Sequence, residues 1–361
     1  MGYLGKKKLP GYRKMINGNF KTNYEDEIKI FQTPFVKFWL ALLFIGLVIF
    51  PFVADRYIIY LVNLCGIAII GALGLNILTG YTGQISLGHA GFLAIGGYTS
   101  AILSTKLGIP FWLAMPLSGI MAALAGMIVA VPSLRLKGLY IAITTFAFGF
   151  IVDHVIIHWE SLTNGPSGIS APRPSLGIFV FDSDKSYYFI IIGMVILATA
   201  FARNLFRGRV GRAFIAIRDR DIAAEIIGIN LTKYKIQAFS ISSFYAGIAG
   251  SLMAHYFDVI TFENFTLMLS IQYLAMIIVG GVGSILGSIY GATFITLLPE
   301  VIRFLTDIFR EEYPSLTTRF ADLKSVTFGL IIILFLIFGP KGLYGMWRDI
   351  KVYWKNWPFT Y

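Results

Sequence analysis

"YIIYLVNLCGIAIIGALGLNILTGYTGQISLGHAGF", Tyr57 to Phe92, decides which solvent this chain is built for. From Tyr57 to Leu78 no side chain is charged, and a helix needs roughly 20 apolar residues to cross a bilayer. The next stretch is not a charged loop. Gly80 to Phe92 holds four glycines, Gln84, Ser86 and His89, with no Asp, Glu, Lys or Arg. A loop in water is usually more charged, and a membrane span is less polar. Such backbone is tolerated at membrane depth where it is buried in protein or lines a cavity. The plainer of the two readings is a packing turn, in which Gly80, Gly83, Gly88 and Gly91 let backbones approach closely and loosen the helix start.

Composition extends this to the whole chain. Of 361 residues, 57% are hydrophobic and only 14% charged, against about 25% charged in soluble domains. Phe (31) and Gly (37) are both abundant, as expected where helices pack in lipid. The net charge of +11 is concentrated in tails and loops. Membrane topology and anionic lipid explain it better than nucleic acid. The one cysteine, Cys65, lies in an apolar run and reads as a small buried hydrophobe. No cleavable signal is evident.

The expected fold is an all-α integral membrane protein with about ten transmembrane helices. They are placed at Phe38–Val53, Tyr57–Leu78, Gln84–Leu103, Phe111–Val131, Leu139–Ile157, Tyr187–Phe201, Ile236–Tyr256, Thr266–Gly280, Gly287–Ile302 and Val326–Phe338. Residues 1–34 form a basic arm with Lys6, Lys7, Lys8, Arg13, Lys14, Lys21 and Lys29; 35–340 form the membrane domain; 341–361 form a basic tail. Basic residues cluster in the arm, at Arg135 and Lys137, in the loop 203–235 and in the tail. That bias puts both termini on the cytoplasmic side. The segment Asp307–Lys324 has balanced charge and fits either side.

Several chemistries lack their residues. No G-x-x-x-x-G-K-[ST] occurs, so this chain has no P-loop for ATP; no G-x-S-x-G or H-E-x-x-H occurs either. "DHVIIHWE", Asp153 to Glu160, sets His154 and His158 on one helix face. Such a pair can ligate a metal, but no second ligand-rich segment accompanies it, and Trp159 suits an interfacial rim. A membrane enzyme using His89, His154, His158 and His255 lacks a repeated ligand box. A self-sufficient secondary carrier is opposed by the near absence of ionisable residues deep in the spans.

The largest inner loop is patterned. In "RGRVGRAFIAIRDRDIAAEIIGINLTKYK", Arg207 to Lys235, Asp221 is placed to cap a helix over Ile222–Ile227. Gly228 is placed to close that helix in the left-handed conformation, with Ile229 folding back on it. Ile222 and Ile226 share a face. A helix this short is unstable alone and suits a groove in a partner. The bland alternative is a plain basic loop. The outer loop 158–186 contains "LTNGPSGISAPRP", Leu162 to Pro174, rich in turn formers. It reads as a docking surface or as a connector.

Four segments in order resemble a known family: "GLNILTGYTGQISLGHAGFLAIGGYTSA" (Gly74–Ala101), "LTNGPSGI" (Leu162–Ile169), "GRAFIAIRDRDIAAEIIGIN" (Gly211–Asn230) and "FGPKGLYG" (Phe338–Gly345). They look like the LivM-type permease of branched-chain amino acid ABC importers; the glycine-rich stretch is shared with the sister LivH-type permease. The resemblance implies a subunit of the bacterial or archaeal inner membrane, pairing with that sister, with two ATPase subunits and an external substrate-binding protein. It implies no cofactor in this chain, ATP-Mg being held by the partners. Other amino acids, amides or urea are moved by relatives. Many ABC importers read Glu-Ala-Ala-x-x-x-Gly in the coupling loop. Here Ala223, Ala224 and Gly228 keep that spacing, Ile222 replaces Glu, and Asp221 and Glu225 flank it, with Ile226 beyond. On this resemblance Asp221 to Gly228 form a cytoplasmic coupling helix between spans 6 and 7. Tyr81, Thr82, Gln84, Ser86 and His89 would line the path, offering hydrogen bonds to a zwitterion without a fixed charge that would trap it. "GGVGSILG", Gly280 to Gly287, would be their counterpart across that path. Asn164, Gly165 and Pro166 would serve external docking.

Overall fold

The computed structural model describes residues 34–136, 138–176, 179–308, 320–339 and 341–356. The basic arm 1–33, Lys137 and residues 309–319 of the ambiguous charged segment lie outside them. The described residues form two compact units, one from Ala54 to Arg348 and the other holding the stretches before and after it. The smaller unit contains α1 (Pro34–Val53), an apolar helix with Phe38, Trp39 and Leu43 exposed.

The larger unit contains α2 (Arg56–Leu75), α3 (His89–Lys106), α4 (Phe111–Ser133), α5 (Leu139–His158), α6 (Asp184–Arg207) and α7 (Arg209–Asp219). Beyond these lie α8 (Asp221–Ile226), α9 (Leu231–Phe257), α10 (Leu267–Gly280), α11 (Ile285–Ile308) and α12 (Phe320–Phe338). A last helix, α13 (Gly342–Asn356), is shared between the units. Helices thus occupy every expected apolar run. Among the described residues, six are long and apolar enough to cross a membrane by length and composition, which makes this a multi-pass membrane protein.

Helices α3 and α9 are not among those six, and their position explains why. α9 packs against α2, α3 and α4, so protein rather than lipid surrounds much of it. It can therefore bury Ser242, Ser243 and Ser251. Small residues of this kind let membrane helices approach closely and bond across the interface. α3 crosses α9 closely, since a Cβ at Gly96 would overlap the Gly247 backbone. Gly96→Val should force the two helices apart at a cost of about 1–3 kcal/mol. The check is the yield of monodisperse folded protein in detergent, which should fall sharply against the parent.

The outer loop is tied to α9 by short strands and polar contacts. β1 (Ile169–Ser170) pairs antiparallel with β4 (Val259–Ile260), Ile169 opposite Ile260; β2 (Ser175–Leu176) pairs with β3 (Phe179–Val180). Arg173 bonds Asp258 at 3.0 Å, and that carboxylate holds the guanidinium above its ordinary pKa. His255 bonds the Pro172 carbonyl at 2.6 Å and Ser100 at 2.9 Å. Backbone groups from Ile169 to Pro172 thereby find partners at the end of α9 and the strand after it, as buried backbone requires.

Candidate functional site

The polar stretch after α2 is where the bundle departs from regular helix. α2 ends in a π-turn over Asn76–Gly80, a feature that often marks functional sites. Two more helical residues come next, and Gly83 to Gly88 are not helical. The span expected from Gln84 therefore starts only at His89, because Gly83, with φ +71°, turns the chain. His89 bonds the Gly71 carbonyl at 3.0 Å through Nε2. At about 1.5 Å of rise per residue, Gly71 lies roughly 22 Å along α2 from Arg56 and roughly 13 Å from Gly80. α3 thus begins partway down the bundle, inside protein.

All five expected path residues are buried: Tyr81, Thr82, Gln84, Ser86 and His89. Thr82 and Gln84 hold each other and the nearby chain. Thr82 donates to the Leu78 carbonyl, Gln84 Nε2 donates to Thr82 Oγ1 at 3.1 Å, and the Gln84 carbonyl accepts from Thr79 at 3.1 Å. Tyr81 stacks on Phe206. Among the described residues Ser86 Oγ and His89 Nδ1 have no hydrogen-bond partner. Buried polar atoms are normally paired, so these two are the members with bonding capacity to spare.

Two residues passed over by the sequence reading join the motifs together. Asn76 donates from Nδ2 to the Ser284 carbonyl (2.9 Å) and to Ser288 Oγ (2.8 Å). Its Oδ1 accepts the Gly283 N–H at 2.9 Å. Arg218, near the end of α7, donates to the Gly80 carbonyl at 3.1 Å and to Asp219 at 3.0 Å. A Cβ at Gly83 would sit 3.2 Å from the Arg218 side chain. The second glycine cluster was expected across a path from the first. Instead the two touch, because the Asn76 amide supplies the partners that the loop before α11 lacks. Gly342 of "FGPKGLYG" packs on Gly281, where a Cβ would overlap its backbone. The signal for Asn76 was visible as a lone amide in an apolar run; nothing in the sequence singles out Arg218 among the arginines of its loop.

The loop 203–235 is mostly helical: α6 continues to Arg207, and α7, α8 and the start of α9 fill most of the rest. α8 begins one residue earlier than expected. Arg220, extended at φ −157°, is the N-cap, and Asp221 lies inside the first turn, its Oδ1 accepting the Ile222 N–H at 2.9 Å. The C-terminus is as the sequence implied. Gly228 has φ +90°, its N–H reaches the Glu225 carbonyl (3.0 Å), and Ile229 N–H reaches that of Ala224 (2.9 Å). This is the double closure of a Schellman turn. Ala224 is buried at 2% exposure and faces the protein's own interior, whereas Ala223 and Glu225 are exposed. Of the two alanines that keep the coupling-loop spacing, only Ala223 is open to a partner. Ile222 (65% exposed), Ile226 (81%) and Ile227 (74%) face outward.

Of the expected external-docking residues, Asn164 is exposed in the left-handed conformation (φ 60°) and Pro166 is exposed, but Gly165 is buried. His154 and His158 stack, with His158 Nδ1 2.9 Å from the His154 carbonyl.

Comparison with known proteins fits this bundle. Residues 57–336 match the family model described as branched-chain amino acid transport system, permease component. The chain belongs to that permease family. It is 32% identical to the high-affinity branched-chain amino acid transport permease LivM of Escherichia coli K12, over 86% of this chain and 76% of the relative. LivM of Salmonella typhimurium is 33% identical over similar shares. LivH of the same Salmonella is 24% identical over 76% of this chain and 90% of the relative. No solved structure matches. As a family member the chain is a transporter subunit rather than an enzyme.

Proposed function

We propose that this chain forms one half of the membrane channel of an ATP-driven importer of branched-chain amino acids. A LivH-type permease supplies the other half. The family and its two named permease kinds support this reading. Ten spans, with both termini on the cytoplasmic face of a bacterial or archaeal inner membrane, accommodate the helices and the basic loops. Two ATPase subunits hold ATP-Mg; an external binding protein delivers substrate to the face carrying Asn164 and Pro166.

The observation that carries the mechanical part is the exposed trio Ile222, Ile226 and Ile227 on a closed six-residue helix. A helix of this length does not repay its own nucleation in water. Three bare isoleucines on it are apolar anchors for a groove in a partner. α8 docks there, and α7 passes its motion through Arg218 to the Gly80 carbonyl and the paired glycine turns. Gln84, Ser86 and His89, with Tyr81 and Thr82 beside them, border the path, where uncharged groups release a zwitterion.

The test is coexpression with a LivH-type permease, two ATPases and a binding protein from one transport system. The complex should copurify and take up leucine with ATP in proteoliposomes. Ser86→Ala should lower uptake at unchanged complex yield, because Ser86 Oγ holds no neighbour; His89→Ala should lower uptake more than yield, since it also removes the bond to the Gly71 carbonyl. Uptake at the parent rate in both would return the stretch to helix packing.

A further inference from the structure

Two acids, Glu300 of α11 and Asp153 of α5, stand inside the long apolar helices rather than in their first turns. Glu300 accepts from Tyr57. Asp153 differs: its Oδ1 is buried and, among the described residues, has no hydrogen-bond partner. A buried carboxylate without a partner is costly, and an acid inside a span marks a substrate or ion path. α5 is also mostly uncovered by the chain's own helices.

Asp153 borders a cavity of about 30 Å³ between the starts of α3 and α10 and the middle of α5. That is room for a group the size of a water molecule. Glycines bring the walls together: a Cβ at Gly91 would stand 3.2 Å from the Gly149 Cα. The other polar side chain in the wall is Ser270. Its Oγ accepts the Ala90 N–H at 2.9 Å and keeps a second lone pair. Phe146, Phe150 and Phe265 supply aromatic surface, and no Lys, Arg or His is in the wall. Tyr98, two turns along α3 from Gly91, is 3% exposed, and its hydroxyl likewise has no partner. Its ring lies 6.3 Å from that of Phe265, within electrostatic reach of Asp153. A carboxylate, hydroxyls and aromatic rings without a cation suit a small positive group. Phe150 and Asp153 also border an open recess of about 480 Å³ with Ile151 and Ile157, so an aliphatic chain fits beside the niche.

We propose that Asp153 binds the α-ammonium of the amino acid at the outer mouth of the path. Ser270 Oγ is the second acceptor, and the aliphatic side chain lies along Phe150 and Ile157. The site rests on the importer reading above. Asp153 stands roughly 7.5 Å along α5 from His158, where the loop carrying Asn164 and Pro166 begins. Only one end of the zwitterion meets a fixed charge, which keeps the hold weak enough for release.

The experiment uses the full complex in proteoliposomes, with binding protein and leucine outside and ATP inside. Asp153→Asn should lower leucine uptake about tenfold, the order set by one hydrogen bond to a charged group, at unchanged complex yield. Asp153→Glu should fall between Asn and the parent. The probe is 3-methylbutylamine, which has leucine's side chain and ammonium but no carboxylate. At concentrations that leave leucine on the binding protein, it should slow uptake by the parent and leave the residual uptake of Asp153→Asn unchanged. The neutral 3-methylbutanol should slow neither. Should Asp153→Asn fail to assemble, Asp153→Glu takes its place, and the displaced carboxylate should weaken inhibition by the amine. Parent-like uptake in Asp153→Asn overturns the proposal, as does equal inhibition by amine and alcohol. A sodium dependence of uptake that Asp153→Asn abolishes also overturns it, since the carboxylate would then hold a metal ion. A parent complex that takes up no leucine sinks the importer reading, and the site with it.

Discussion

Asn76→Leu should cost this protein about 3 kcal/mol, the sum expected for losing three bonds at one buried point. Leu branches at the same carbon as Asn and suits the apolar run around it, so packing in α2 changes little. What changes is the loop before α11. The Gly283 N–H loses its acceptor at 2.9 Å, the Ser284 carbonyl one of its donors at 2.9 Å and Ser288 its amide at 2.8 Å. In a helix bundle within lipid little water reaches such groups, and an unpaired donor costs its full desolvation. The turn before α11 should loosen from the end of α2. The thermal midpoint of the purified complex should fall by several degrees, and leucine uptake should fall more than complex yield, since the same turn adjoins Arg218. A parent-like midpoint with parent-like uptake would show that the two glycine turns are held together by packing alone.

Gly228→Val should uncouple ATP hydrolysis from transport while leaving the bundle folded. The position has φ +90°, a region L-residues with branched side chains avoid. Open space surrounds the place a Cβ would occupy, so no clash enters and the effect is backbone strain alone, about 1–2 kcal/mol. Two bonds depend on that conformation, Gly228 to Glu225 and Ile229 to Ala224. A six-residue helix has few others to hold it. Val should therefore fray α8 and scatter Ile222, Ile226 and Ile227. Gly228→Asn is the control, because Asn tolerates the left-handed region; it should retain most coupling. The readouts are ATPase copurification and the ratio of leucine moved to ATP hydrolysed. Equal coupling in Val and Asn variants would remove α8 from the drive train.

Much of this was legible from the amino acids. The apolar runs predicted where the long helices lie, because in lipid the backbone must satisfy itself within each segment. Gly228 predicted the closing turn of α8, since that conformation is local and depends on one residue's lack of a Cβ. The N-cap was misplaced by one residue, from Asp221 to Arg220, because either can take extended backbone and the choice falls to the α7–α8 joint. Ala224 shows the limit more plainly: Ala223 and Ala224 look equivalent in sequence, and only packing against the chain's own helices buries one and exposes the other.

The sequence by itself determined the membrane class, the helix positions, the lack of a P-loop and the shape of α8, all properties of contiguous residues. Only the tertiary structure decided that Asn76 meets Gly283 and Ser284, that Arg218 reaches Gly80, and that Asp153 shares a niche with Ser270. Each of these joins residues far apart in the chain. Such contacts are fixed by how glycine-lined helix faces fit together, and no local pattern of apolar and polar residues encodes that fit.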